Sequence, residues 1–196
     1  MRKLLVATKN KGKFKEFYGI LKKIPYEIIT LDKINLNFDI QETGKTFEEN
    51  AVLKAKKYAQ ASGFLTLADD SGLCVDYLRG LPGINSARYI KGTDKDRYEY
   101  LLKQLENVPM NKRTAVFVSV VALFDPKIKK TITKSGECRG RIAFEPKGNN
   151  GFGYDPVFIV DKIGKHFAQL SFEEKNQLSH RAKALQKIKP WVNTDI

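Results

Sequence analysis

The chain has 196 residues, of which 42% are hydrophobic and 11% aromatic, with a formal charge of +13. That composition excludes an intrinsically disordered chain and fits one large domain, or one domain split into two lobes. No run approaches the length of a transmembrane helix, which excludes a helical membrane protein. The charge admits nucleic acid or nucleoside triphosphates as partners, although a solvated lysine-rich surface explains it as simply.

KLLVAT (3–8) reads as a buried strand. Its apolar stretch, Leu4 to Ala7, is too short for a signal-peptide core, so the expected compartment is the cytoplasm. In KNKGKFKEFYGILKK, Phe14, Phe17, Tyr18 and Leu21 recur on one helical face. YEIITL (26–31) is a second strand that closes a β-α-β unit. TGKTFEENAVLKAKKYAQASG is the clearest helix. Thr46 and Glu49 form its capping box, Phe47, Ala51, Ala55, Tyr58 and Ala59 its apolar stripe, and Gly63 its stop.

The next strand, Phe64 to Ala68, is expected to end on Asp69 and Asp70, followed by Ser71 and Gly72. GLPGINSARY (80–89) is a turn segment, and Tyr98, Leu101, Leu102 and Leu105 mark another helix. RTAVFVSVVALFD (113–125) and KKTITKSGECRGRIAF (129–144) read as an antiparallel hairpin turning at Asp125-Pro126. KGNNGFGYDPVFIV is a glycine-rich loop running into a strand. FEEKNQLSHRAKALQKIKPW reads as one final helix that stops before Pro190. The sum is a mixed α/β domain with a central sheet and a helical lobe. Cys74 and Cys138 are expected as reduced, packed thiols, and two Cys with two His make no metal-binding spacing.

Strand, short loop and helix at VATKNKGKFKE offer backbone N–H groups and a positive helix dipole to an anion. Lys9, Lys11 and Lys13 surround that loop, and Thr8 and Asn10 add hydrogen-bonding groups. The spacing of a Walker loop is absent. A solvated basic first turn is the equally simple reading. Adjacent acids such as Asp69 and Asp70 disfavour each other's ionisation unless a cation or a proton lies between them. They mark either a solvated turn or a metal and general-base site. Mg²⁺ needs few protein carboxylates, because phosphates and water complete its octahedron, and Asp70 with Glu42 would suffice. In GFGYDPVF, Phe152, Gly153, Tyr154 and Asp155 form either a tight turn with its rings in the core or a base pocket. His180 and Arg181 have no nucleophile motif around them.

Taken together, TKNKGK, TGKTFEENAVLKA, ADDSGLCVDYLRGLPGINSARY, GFGYDPVF and EKNQLSHRAKAL resemble the noncanonical purine nucleoside triphosphate pyrophosphatases, the inosine triphosphatase or Ham1-like family. The resemblance runs essentially end to end and treats residues 1–196 as a single domain of that kind. It implies a two-lobed α/β fold with a long central mixed sheet, helices on its flanks and a substrate cleft between the lobes. It also implies a homodimer and Mg²⁺-dependent hydrolysis of ITP, dITP and XTP to the monophosphate and pyrophosphate. By the same resemblance, Thr8, Lys9, Asn10, Lys11, Gly12, Lys13 and Lys54 grip phosphate. Asp70 is the general base and a metal ligand, Glu42 the other ligand, with Asp69 close by, and Ser71 lies beside the substrate. Phe152, Gly153, Tyr154, Asp155, Lys175, His180 and Arg181 correspond to the base and ribose-phosphate pocket. One departure is Gln169 in FAQL, where the family usually has Glu; it touches a supporting hydrogen bond, not the activity. Two competing readings are a basic nucleic-acid-binding module and a nucleotide hydrolase with another base preference. Against the first, the lysines are spread along the chain, and neither an RNP-like aromatic pair nor zinc spacing occurs.

Overall fold

The computed structural model describes residues 2–193. The domain expected over 1–196 therefore includes end residues that lie outside the described ones. Alternation along the first strand, β1 (Arg2–Val6), sends side chains to two different cores. Leu4 and Val6 pack with Phe17 and Leu21 of α1 (Lys11–Leu21). Leu5 and Ala7 pack instead with Ala51, Ala55 and Ala59 of α2 (Phe47–Ser62). β2 (Tyr26–Thr30) pairs with β1 in parallel, as a β-α-β unit requires.

Among the described residues, seven strands form one sheet in the order β2-β1-β3-β4-β5-β6-β7. The later strands are β3 (Leu65–Val75), β4 (Thr114–Asp125), β5 (Lys130–Ile142), β6 (Phe158–Val160) and β7 (Lys165–His166). β1 and β3 pair in parallel, whereas β5, β6 and β7 pair antiparallel, so the sheet is mixed. β4 and β5 are neighbours joined by residues 126–129, where Asp125 Oδ1 accepts the Lys127 N–H at 2.8 Å and fixes the turn.

Two compact units divide the chain. Among the described residues, the first holds 2–70, 119–136 and 181–193, and the second 71–118 and 137–180. α1, α2 and α5 (His180–Asn193) cover the cores of the first unit. In the second unit, α3 (Asp94–Gln104) delivers Leu101 to a core with Leu73, Phe117, Tyr154, Phe158 and Phe167.

Four local expectations are corrected. β3 does not end at the twin aspartates; it continues through Asp69, Asp70, Ser71 and Gly72 to Val75. Polar residues can continue a strand because the ladder is backbone, and these acids find cationic partners, as described below. Glu49 does not complete a capping box on Thr46. Thr46 accepts the Glu49 N–H, but the Glu49 carboxylate takes the Lys45 N–H at 2.6 Å. The last helix is broken. α4 (Phe172–Leu178) ends at Ser179, which is extended (φ −67, ψ 153), and α5 starts at His180, in keeping with serine's preference for the position before a helix. Finally, α5 runs through Pro190. Proline forfeits one backbone bond there, while Val192, fully buried in the first unit's core, keeps the last turn in place.

Candidate active site

The loop before α1 spends its own polar groups on its shape. Thr8 Oγ1 accepts the Asn10 N–H at 3.2 Å, and Asn10 Oδ1 caps the helix by accepting the Lys13 N–H at 2.9 Å. Lys11 and Gly12 open the first turn of α1, whose N–H groups and dipole favour an anion. Lys9 points elsewhere. Its ammonium meets Asp39 Oδ1 at 2.6 Å and the Asn37 carbonyl at 3.1 Å, at the surface. Lys13 turns inward and meets Asp69 Oδ2 at 3.0 Å.

The pleat of β3 separates the two acids. Leu67 and Asp69 lie on the face covered by α1 and α5, while Ala68 and Asp70 lie on the face covered by α2. Asp69, 3% exposed, meets Lys13 and Arg181 Nε, the latter at 3.3 Å. Arg181 also grips Glu16 of α1, and the four side chains form a buried chain of alternating charge. Burial works against the Asp69 charge, but Lys13 and Arg181 hold its carboxyl well below the usual range. Burial pushes the Lys13 ammonium down; Asp69 opposes that shift, and Arg181 and Lys54 add to it.

Asp70 has different company. Its Oδ1 accepts from Lys54 at 3.2 Å, and its Oδ2 from the Asn50 amide at 3.2 Å. Lys54 also meets Glu42 at 2.5 Å, so one ammonium stands between two carboxylates. Burial raises the Asp70 pKa; Lys54 opposes this and Glu42 adds to it. Burial disfavours the charge on Lys54, but Asp70, Asp69 and Glu42 raise its pKa. Two neighbouring carboxyls pushed in opposite directions are how one site separates a fixed anion from a group that can exchange a proton.

Among the described residues, no set of three His, Cys, Asp or Glu side chains converges as a metal cage. Mg²⁺ does not require one, because one or two carboxylates, substrate phosphates and water suffice. Glu42 and Asp70 form such a hard-oxygen pair, and a divalent cation would offset the burial and the Glu42 charge that raise Asp70.

The second unit holds the other predicted residues. Asp155, 2% exposed, accepts the Phe152 N–H at 2.9 Å and the Lys175 ammonium at 2.5 Å. Lys175 also sits over the Phe152 ring, 4.7 Å from its centroid. His180 lies flat on Phe117, with centroids 4.7 Å apart and planes 8° apart. Gly153 donates its N–H to Asp94 at 2.7 Å, with φ +62. Tyr154 is a core residue, and its hydroxyl donates to the Ser86 carbonyl at 3.0 Å. Ser71 follows Asp70 in β3 and is half-buried. At the Gln169 departure, the amide oxygen accepts the His166 N–H at 2.9 Å, a role a carboxylate could also fill. Arg181 stands with the acids of the first unit through Asp69 and Glu16.

A sequence profile of the Ham1 family matches residues 4–191. This chain belongs to the Ham1 family. It is 46% identical over 190 residues to the dITP/XTP pyrophosphatase of Bacillus licheniformis, covering 96% of each chain. The dITP/XTP pyrophosphatase of Bacillus subtilis is 45% identical over 191 residues, again with 96% of each covered. The Ham1 protein structure from Coxiella burnetii superposes with a TM-score of 0.88 at 37% identity, over 98% of both chains. The Staphylococcus aureus Ham1 protein gives 0.84 at 41%, covering 97% of this chain and 98% of that one. The mixed sheet described above is thus the Ham1 fold.

Two residues that the motifs alone did not single out, Glu16 and Asn50, are partners of the predicted site residues Arg181 and Asp70. Both had a signal in helical spacing. Glu16 lies three residues after Lys13 and Asn50 four before Lys54, which places each on the face of its functional neighbour.

The paired acids make a pH prediction with a definite sign. The Asp69 pKa is depressed in the folded chain, so its stabilisation is full above the unfolded value, near 3.9, and is lost as pH falls toward the folded one. The melting temperature should therefore fall below about pH 4, and Asp69→Asn should flatten that acid limb while lowering stability at pH 7. Parallel melting curves for the two proteins from pH 6 to 2.5 would remove Asp69 from the acid response.

Proposed function

We propose that this chain is a nucleoside triphosphate pyrophosphatase that hydrolyses dITP, ITP and XTP to the monophosphate and pyrophosphate, removing them from the nucleotide pool. The observation that carries the reading is the unequal treatment of adjacent acids. Asp69 is neutralised by Lys13 and Arg181, while Asp70 is raised and set beside Glu42 and Lys54. Curated relatives about 45% identical over nearly the whole chain carry the name dITP/XTP pyrophosphatase, which supports the substrate class.

Water attacking the α-phosphorus must approach a polyanion, so the charge of the triphosphate has to be offset where it builds up. Lys13, Lys54 and the first-turn N–H groups of α1 provide that offset. Glu42 and Asp70 would hold Mg²⁺, which when bound supplies further neutralisation and makes a coordinated water more acidic. Asp70 orients the attacking water and accepts its proton, a role suited to a carboxyl whose pKa is raised. Asp69 stays ionised and keeps Lys13 and Arg181 in place.

Base choice falls to the second unit. Hypoxanthine and xanthine present a 6-keto acceptor and an N1–H donor, whereas adenine reverses both. His180, Lys175, backbone N–H groups and Arg181 (whose Nε and Nη1 pair with Asp69 and Glu16) are the candidate donors for the keto group, with Phe152 offering a ring face. The reading extends to one family domain over 1–196, acting as a homodimer in the cytoplasm.

A nucleoside triphosphate panel scored for pyrophosphate release tests the proposal. The kcat/KM values for ITP, dITP and XTP should stand well above those for ATP and GTP, by up to about 10⁴–10⁵ where a hydrogen-bonding edge is mismatched. Orthophosphate instead of pyrophosphate, or equal values for ATP and ITP, would overturn it.

A further inference from the structure

We infer that Asn50 is a positioning residue that locks the Asp70 carboxylate and the loop carrying Glu42 into one unit; the inference deepens the pyrophosphatase reading and rests on it. Asn50 is 0% exposed, in the first turns of α2. Its Oδ1 accepts the Gly44 N–H at 2.8 Å, and its Nδ2 donates to Asp70 Oδ2 at 3.2 Å. A backbone N–H can only donate and an ionised carboxylate only accept, so the amide has one orientation that serves both. Aspartate in its place would keep the first bond and repel Asp70. An apolar residue would keep neither.

Gly44 is shaped for the same contact. A Cβ there would come within 2.6 Å of Asn50 Oδ1 and 2.7 Å of Glu49 Cβ, so only glycine lets the loop lie this close. Glu42 is two residues upstream of this tether, and residues 36–44 contain no helix or strand. The loop is therefore held by side chains. Tyr58 donates to the Phe38 carbonyl at 3.0 Å, and the Phe38 and Tyr58 rings stack 5.1 Å apart. Asn50, Lys54 and Tyr58 recur every four residues on one face of α2. That face thus fixes Asp70 through both oxygens and fixes the Glu42 loop beside it. Groups that orient carboxylate ligands in this way typically change metal affinity or activity by 10–100-fold when lost.

Asn50→Leu fills the same space and removes both bonds. The Gly44 amide should then exchange with solvent at least about tenfold faster by NMR. The kcat for dITP should fall roughly 10–100-fold, with KM changed by less than about threefold. Mn²⁺, titrated by electron paramagnetic resonance without nucleotide, should bind roughly tenfold more weakly. Asn50→Asp keeps the acceptor, so Gly44 stays protected while kcat still falls. Unchanged kcat and Mn²⁺ affinity in folded Asn50→Leu overturn the inference. If that variant does not fold, Gly44→Ala breaks the same tether from the loop side, and unchanged kcat and Mn²⁺ affinity there overturn it equally. Failure of the unmutated chain to release pyrophosphate from any purine triphosphate would instead defeat the functional reading. The Gly44 exchange and Mn²⁺ titration would then still decide for or against Asn50.

Discussion

Asp70→Asn should lower kcat by roughly 10²–10⁴, the usual worth of a general base, and lower the melting temperature less than Asp69→Asn does. The two halves of that result have separate causes. In the proposed mechanism the carboxylate would supply the proton acceptor and one of two anionic oxygen ligands, whereas an amide offers only a neutral oxygen and no base. Burial and Glu42 already disfavour the charge on Asp70, so losing it costs the fold less than at Asp69, although the amide can accept from only one of Lys54 and Asn50. Asp69→Asn should behave in the opposite way, losing stability because Lys13 and Arg181 lose their counter-charge. A near-normal kcat for Asp70→Asn would remove Asp70 from the mechanism. The contrast between the neighbours is the stricter test, since a generic acidic turn would make the two substitutions equivalent.

Arg181→Ala should destabilise the chain by about 3–5 kcal/mol, the cost of removing one partner from a buried ion network. Arg181 is 2% exposed, and its guanidinium joins Glu16 and Asp69. Without it, two carboxylates remain in a buried setting with Lys13 as the cation attached to Asp69. For a chain of this size, that loss lowers the melting temperature on the order of 10 °C. Arg181→Lys keeps the charge but not the planar fork, and should fall between. If Arg181 also read the base edge, Arg181→Ala would in addition narrow the gap between ITP and ATP. Thermal melts alongside the nucleotide panel separate these outcomes.

The partners of Arg181 show where sequence reading stops. The β-α-β start, the capped α2 with Gly63 behind it, and the β4–β5 hairpin were legible because each is written in local spacing: 3.6-residue stripes, alternation and turn residues. The sequence motifs also named Asp70, Glu42, Lys13 and Lys54. What local spacing cannot carry is the partner of a side chain far away in the sequence. Arg181 joins Asp69 across 112 residues and Glu16 across 165, and a helical pattern around SHR contains no trace of either. The break at Ser179 was hidden for a related reason. Apolar residues continue at helical spacing on both sides, so the pattern reads as one helix although a single extended residue divides it. Lys9 and Lys13, four apart in one basic loop, look interchangeable by composition. Their different fates, surface ion pair and buried partner, depend on Asp39 and Asp69.

The pleat of β3 also governs which changes in length the chain tolerates. Gain or loss of one codon between Leu65 and Asp69 would turn every later side chain of the strand to the opposite face. The face of Lys13 and Arg181 would then receive the wrong member of the pair, although composition and net charge would hardly change. Gain or loss of two codons would restore the faces but carry both acids about 7 Å along the strand, out of reach of their cations. Such indels should therefore be lethal to activity in β3, yet harmless in surface turns such as 126–129, where the chain can absorb extra length without moving an acid.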